Sequence, residues 1–236
     1  MEKSGHRKLL EQLIVGGLIG AVLGVLITKA GWHGSPLFSR HFNHFDYDIE
    51  WNRLTPALIL WFSFFAYWTI VSVNSAKTKS SESKASTFTH QIILNGALIL
   101  LFAPVPGLRF WFLPQRYHFL VVVGVIIQIG FGFLAIWARR HLGRNWSAEV
   151  RIGEGHQLVR TGPYRFLRHP IYTAMLGMFL GTAIASSQVH ALLALGILFI
   201  AYLRKTRLEE QILHQTFGPD WLSYRRQTWA LIPPLF

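Results

Sequence analysis

His156-Gln-Leu-Val-Arg-Thr-Gly-Pro-Tyr-Arg-Phe-Leu-Arg-His-Pro-Ile-Tyr172 is a polar, basic stretch inside an otherwise apolar C-terminal half. Gly162-Pro163 marks a turn, and Pro170 stands where a helix can begin, because proline at a first helical position removes no N–H that the helix needs. Apolar runs long enough to cross a bilayer lie around it. Arginine, histidine and tyrosine at this density beside a membrane point to a cofactor site, and the rest of the chain is organised around it.

The chain has 236 residues, 51% of them hydrophobic, and no cysteine, which excludes disulfides, thiolate metal sites and cysteine nucleophiles. A net charge of +12 suggests nucleic acid in a soluble domain. Here the basic residues fall in short connections between apolar runs, so membrane lipids with anionic headgroups are the expected neighbours and nucleic acid is not. Six spans are read at about 9–28, 55–73, 90–105, 117–138, 170–187 and 189–205. With the N-terminus inside, the inner segments 1–8, 77–84, 139–168 and 204–226 hold 18 of the 23 Lys and Arg residues. That bias favours six spans with both termini in the cytosol over five, which put one basic end outside. The expected fold is therefore an all-α integral membrane protein of about six transmembrane helices. Four spans occupy residues 1–138, and residues 139–236 form a core of cytosolic loop, helical hairpin and C-terminal helical extension.

Along the chain, Gly16, Gly20 and Gly24 recur four apart in the first span and predict a packing face. Residues 31–54 carry His33, His41, His44, Asp46 and Asp48, but their spacing fits no closed metal site, and the interleaved Phe42, Phe45, Tyr47 and Trp51 indicate an outer-interface stretch without metal. Residues 74–89 read as a flexible inner linker, 106–116 as an interfacial belt, and 143–154 as an extended or hairpin-like piece. Ser186-Ser187-Gln188 allows only a tight hairpin between spans five and six, with Gly177 and Gly181 expected to supply its close contact. The pattern of span six runs on through Leu213 until Gly218-Pro219 breaks it. Asp220 is expected to cap a short amphipathic helix, Trp221 to Arg226, and the apolar tail from Leu231 to fold back onto the protein.

The hairpin brings Arg168–Tyr172 beside Arg204–Glu210, because both flank the same turn at similar depth. Singly, each piece has an ordinary explanation. Arg160, Arg165 and Arg168 satisfy the positive-inside rule, and Arg207 with Glu209 and Glu210 suits a solvated helix face. A non-catalytic transporter is the competing class. It calls for internal repeats or several polar residues at mid-membrane, where the spans offer little beyond Asn95 and Gln128.

The ordered set His156-x-Leu-Val-x-x-Gly-x-Tyr164, Arg168-His-Pro-x-Tyr172, Glu209-Glu210 and Phe217-Gly218 resembles the isoprenylcysteine carboxyl methyltransferase family, part of a wider group that includes phospholipid N-methyltransferases. The resemblance covers residues 140–236 and implies a membrane methyltransferase using S-adenosylmethionine on a lipophilic substrate that enters from the bilayer. It implies cofactor contacts at Glu149, at His156, Gln157, Leu158 and Val159, at Tyr164, at His169, Pro170, Ile171 and Tyr172, and at Glu209. Glu149 replaces the glutamine of the family pattern. Lys205 occupies the place of the family's substrate-binding arginine, with Arg204 and Arg207 beside it.

The residue types suit that cofactor. A carboxylate such as Glu209 or Glu210 binds a diol or ammonium, Arg168 and His169 answer a carboxylate, and Tyr164 or Tyr172 stacks on adenine. The sulfonium is already activated, so alignment in a dry site is what the protein must add. A carboxylate acceptor is ionised at neutral pH and needs a cation, which Arg204, Lys205 and Arg207 offer, with Arg204 or Arg207 expected to grip it. An amine acceptor needs a general base, and the region has few to spare. From the charge bias, reporter fusions placed after Lys79 and after Phe236 are both expected to read as cytosolic, and an external signal at either position contradicts the six-span topology.

Overall fold

The computed structural model describes residues 44–72, 84–102, 112, 118–143, 146 and 158–234. They form α1 (His44–Ser72), α2 (Lys84–Phe102), α3 (Phe119–Leu142), α4 (Pro170–Ser186), α5 (Val189–Phe217) and α6 (Pro219–Arg226), with one 3-10 turn at Gly162–Arg165. Among the described residues there is no strand beyond a single parallel bridge, Leu167 to Trp229. Among the described residues, four stretches are long and apolar enough to cross a bilayer: Arg53–Val71, Ala85–Phe102, Phe119–Leu142 and the helix Val189–Phe217. The shorter apolar α4 has 17 residues, about 26 Å of helix at 1.5 Å per residue. The outward apolar side chains include Ile126 at 62% and Ile200 at 68% exposure, which is the surface that lipid covers. The protein is an all-α integral membrane protein.

Five of the six expected spans correspond to these helices. The first, 9–28, lies outside the described residues, as do 31–43, 74–83, 103–111 and most of 144–157. Three boundaries move. Helix α1 begins at His44, inside the expected outer loop, and α2 begins at Lys84, inside the expected linker. The last helix begins at Pro219 with Gly218 as its N-cap, so Asp220 sits in its first turn and does not cap it.

Helix α4 is the centre of the packing. Its closest neighbour is α3, where Gly181 faces Gly124 and Gly177 faces the ring of Phe131. The sequence pattern assigned Gly177 and Gly181 to the hairpin partner, but the structure turns them to the preceding span, because their small face points away from α5. Trp61 of α1 fills the next gap, 5.4 Å from Phe65 and 5.3 Å from Phe179 between ring centroids, and its indole N–H donates to Thr182 Oγ1 at 3.0 Å. Gln128 donates to Ala57 O at 3.0 Å, and Gln91 donates to Asn95 at 3.1 Å. Gln128 thus joins two helices, and Asn95 accepts within its own helix.

Both ends of the bundle are tied. Ser187 closes α4 in a left-handed conformation at φ 58°, and Arg53 reaches across from α1 to donate to Ala185 O and Ser187 Oγ, each at 3.0 Å. At the opposite end Arg139 donates to Val71 O at 3.0 Å and to Gly143 O at 2.8 Å, and its guanidinium lies 4.4 Å from the Trp146 ring centroid. Helices α1 and α3 end, and α2 and α4 begin, on the side of the bundle where Arg139 lies.

A β-carbon built on Gly181 falls 2.5 Å from Gly124 O and 2.9 Å from Gln128 N, both backbone atoms that have nowhere to go, whereas one on Gly196 meets nothing within 4 Å. Gly181→Ala is expected to lose about 1–3 kcal/mol through overpacking, while Gly196→Ala stays within about 1 kcal/mol of wild type. Thermal unfolding in detergent should separate the two variants.

Candidate active site

The loop before α4 is fixed from three sides. Gly162 adopts φ 59° and lies against the His141 ring, where a β-carbon comes within 2.3 Å of ring carbon, so only glycine fits. The 3-10 turn buries Tyr164, whose carbonyl accepts the Tyr224 hydroxyl at 2.7 Å. Burial pushes the Tyr164 phenol well above its usual value, so it stays a neutral ring.

Next, the C-terminal tail runs beside the loop as a strap. Trp229 N donates to Phe166 O at 3.0 Å, Arg168 N to Trp229 O at 2.8 Å and His169 N to Ala230 O at 3.1 Å. Thr173 Oγ1 donates to Leu231 O at 2.6 Å, and Leu231 is fully buried. The expected folding back of the tail is therefore seen up to Pro234, and its backbone pairs directly with the motif residues.

The side chains converge between the start of α4 and the outer half of α5. His169 lies between two adjacent carboxylates: Nδ1 is 3.2 Å from Glu209 Oε2, and Nε2 is 3.4 Å from Glu210 Oε1. Arg168 donates from Nε to Glu210 Oε1 at 2.7 Å, Arg225 Nε lies 3.6 Å from Glu210 Oε2, and the Tyr172 hydroxyl donates to Glu209. Arg168 also donates to the carbonyls of Arg225, at 3.1 Å, and Thr228. Beneath this cluster three rings form a ladder, His169 on Tyr172 at 5.6 Å and Tyr172 on Tyr202 at 4.5 Å. Lys205, 2% exposed, stands one turn before Glu209 on the same face of α5. His169 Nε2 is buried and makes no hydrogen bond.

Not every expected residue joins this cluster. Arg168, His169, Tyr172, Lys205, Glu209 and Glu210 come together, with Pro170 and Tyr164 buried close by in the chain. Leu158 and Val159 are half-buried at the start of the loop, and Ile171 is half-buried in the first turn of α4. Glu149, His156 and Gln157 lie outside the described residues. Arg204 and Arg207 are exposed on the other side of α5, with Arg204 donating to Ser86 Oγ at 2.7 Å. Sequence reasoning passed over Tyr202, Arg225 and the backbone of 228–231. The spacing held a signal for the first, since Tyr202 is seven residues before Glu209 and so on its face. The folding back of the tail was expected from Leu231, but nothing in the pattern marks its backbone pairing with the loop.

Residues 119–220 match the phospholipid methyltransferase family. The chain is 29% identical over 139 residues to protein-S-isoprenylcysteine O-methyltransferase A of Arabidopsis thaliana, covering 57% of this chain and 66% of that protein. It is 37% identical over 97 residues to the cobalt-zinc-cadmium resistance protein CzcN of Cupriavidus metallidurans, covering 40% of this chain and 44% of that one. A longer match reaches protein-S-isoprenylcysteine O-methyltransferase of Saccharomyces cerevisiae, 23% identical over 192 residues, 78% of this chain and 80% of its relative. Over residues 119–220 the chain is thus similar to the phospholipid methyltransferase family, and among its relatives are isoprenylcysteine O-methyltransferases. It spans less than two thirds of the length of the first two relatives. The phospholipid methyltransferase match opens at α3 and closes in α6, so it contains His169, Glu209 and Glu210 but not Arg225.

Burial opposes a charge on His169, but the two carboxylates outweigh it and hold the imidazole above its ordinary 6.5. A raised folded-state value means that His169 stabilises the fold fully below pH 6.5 and less as pH rises through the folded value. The stability difference between wild type and His169→Asn is thus expected to be largest at low pH and to shrink toward alkaline pH. Unfolding midpoints measured from mildly acidic to alkaline buffer check it, and a difference that grows with pH contradicts the assignment.

Proposed function

We propose that the protein is a membrane-embedded methyltransferase that uses S-adenosylmethionine to methylate the carboxylate of an isoprenylcysteine-like lipophile. The observation that carries this reading is the joining of the Arg168–Tyr172 motif to Glu209 and Glu210 across the α4–α5 hairpin. The residues fit the cofactor's chemistry. Glu209 and Glu210 each have acceptor capacity for an ammonium or a ribose diol, and His169 Nε2 is a buried ring nitrogen without a hydrogen bond. Tyr172 supplies a flat face for adenine, and Arg168 and Arg225 supply cations for a carboxylate. When bound, S-adenosylmethionine supplies a methyl group already activated by its sulfonium.

The chain's own part is positioning. Arg168 and His169 hold the two glutamates in place, and the Tyr172–Tyr202 stack with fully buried Leu231 forms a dry floor. Lys205, on the same face as Glu209, is the cation proposed to hold the acceptor carboxylate, in place of the Arg204 or Arg207 expected from sequence. That carboxylate is ionised at neutral pH, so attack needs orientation and no general base. The loop end of the bundle, richest in Lys and Arg, is proposed to face the cytosol. The phospholipid methyltransferase match favours a second reading, in which a lipid amine is the acceptor.

Glu209→Gln and His169→Ala are each expected to weaken S-adenosylhomocysteine binding by about 1–3 kcal/mol, read by calorimetry. With radiolabelled cofactor, N-acetyl-farnesylcysteine should gain a base-labile methyl ester that releases methanol in alkali, and Lys205→Met should abolish it. Label that stays on phosphatidylethanolamine after alkali, with the thioether acid untouched, selects the amine reading instead.

A further inference from the structure

Helix α5 carries different chemistry on opposite faces. At about 100° per residue, Tyr202, Lys205 and Glu209 share one face, while Ile200, Arg204, Arg207 and Gln211 share the other. On this second face a cleft of about 380 Å³ opens between α5 and the first turn of α2. Ser86, Leu203, Leu208 and the two arginines shape it, and no carboxylate lines it. Arg204 is already oriented there by its 2.7 Å bond to Ser86 Oγ. Below the polar mouth the α5 side of the cleft is apolar and faces outward, with Ile200 at 68% exposure. Two cations above a lipid-facing apolar wall reproduce the layout of a phospholipid, charged head above acyl chain.

We propose that this cleft holds the headgroup of an anionic membrane phospholipid, gripped by Arg204 and Arg207 and separate from the His169–Glu209 cluster. Arginines three apart on one helix face present planar forks that match the oxygens of a phosphodiester. Basic pockets between membrane helices select anionic headgroups for this reason. A pair that merely extended its heads to the interface would draw no such distinction among lipids bound one to one. The inference is independent of the methyl acceptor, because the cleft and the buried cluster lie on opposite faces of α5.

The test uses the full purified chain in neutral detergent. Native mass spectrometry with equimolar phosphatidylglycerol and phosphatidylcholine should show one retained phosphatidylglycerol, favoured by at least about fivefold, the factor expected for a single interfacial cation. Arg204→Gln/Arg207→Gln should lose that preference and keep S-adenosylhomocysteine binding, while Arg204→Lys/Arg207→Lys should keep part of it. Thermal unfolding should respond to phosphatidylglycerol and not to inorganic phosphate at the same concentration. Equal retention of the two lipids by wild type overturns the proposal without any variant. So does an unaltered preference in the glutamine variant, a phosphate effect equal to the lipid's, or loss of cofactor-product binding together with lipid.

Discussion

An imidazole wedged between two consecutive carboxylates is the constraint from which the loop end of this protein is built. Glu209 and Glu210 repel each other and are mostly removed from water, an arrangement that is unstable without cations close by. His169 meets both, Arg168 takes the second, and Arg225 approaches it from α6. Because His169 is also the residue from which α4 starts, satisfying the glutamates sets where one membrane helix begins relative to the continuation of the next. Side-chain electrostatics and helix register are thereby made one requirement.

The membrane-embedded part makes that requirement enforceable. Glycine against glycine lets α3 and α4 approach to backbone contact, and Trp61 locks α1 to the same helix through Thr182. At the far end Arg53 grips the carbonyl at the close of α4 and the hydroxyl of Ser187. A polar cluster held on helices pinned at both ends keeps its geometry better than one carried by loops alone. The aromatic ladder from His169 to Tyr202 continues that rigidity from the polar region into the apolar interior.

Much of this was legible in the residues. Apolar run lengths anticipated a helix at five of the six expected spans, because a bilayer imposes its thickness on any helix that crosses it, although α1 and α2 begin well before their apolar runs. The pairing of Arg168–Tyr172 with Glu209–Glu210 followed from the short turn at Ser186–Gln188, which leaves two helices no choice but adjacency. Orientation about the helix axis was read less well. Arg204 and Arg207 were grouped with Glu209 by proximity in sequence, although their angular positions on α5 turn them away, and Gly177 and Gly181 were paired with the wrong neighbour. A span that is apolar all round carries no moment to say which face meets which partner. The folding back of the tail from Leu231 was legible, but its pairing with the loop was not, since that pairing acts through backbone N–H and C=O groups that every residue type shares.

The strap also imposes an order of assembly. Its carbonyls receive the N–H groups of Arg168 and His169, residues that precede it by the whole of α4, α5 and α6. During synthesis both arms of the hairpin must therefore have left the ribosome, and α5 must have turned back through α6, before the frame around His169 closes. Until then the start of α4 lacks its backbone partners and the glutamates lack Arg225. A chain made only as far as α5 thus has these helices without the backbone frame around His169, so insertion of the helices and closure of that frame are separate events.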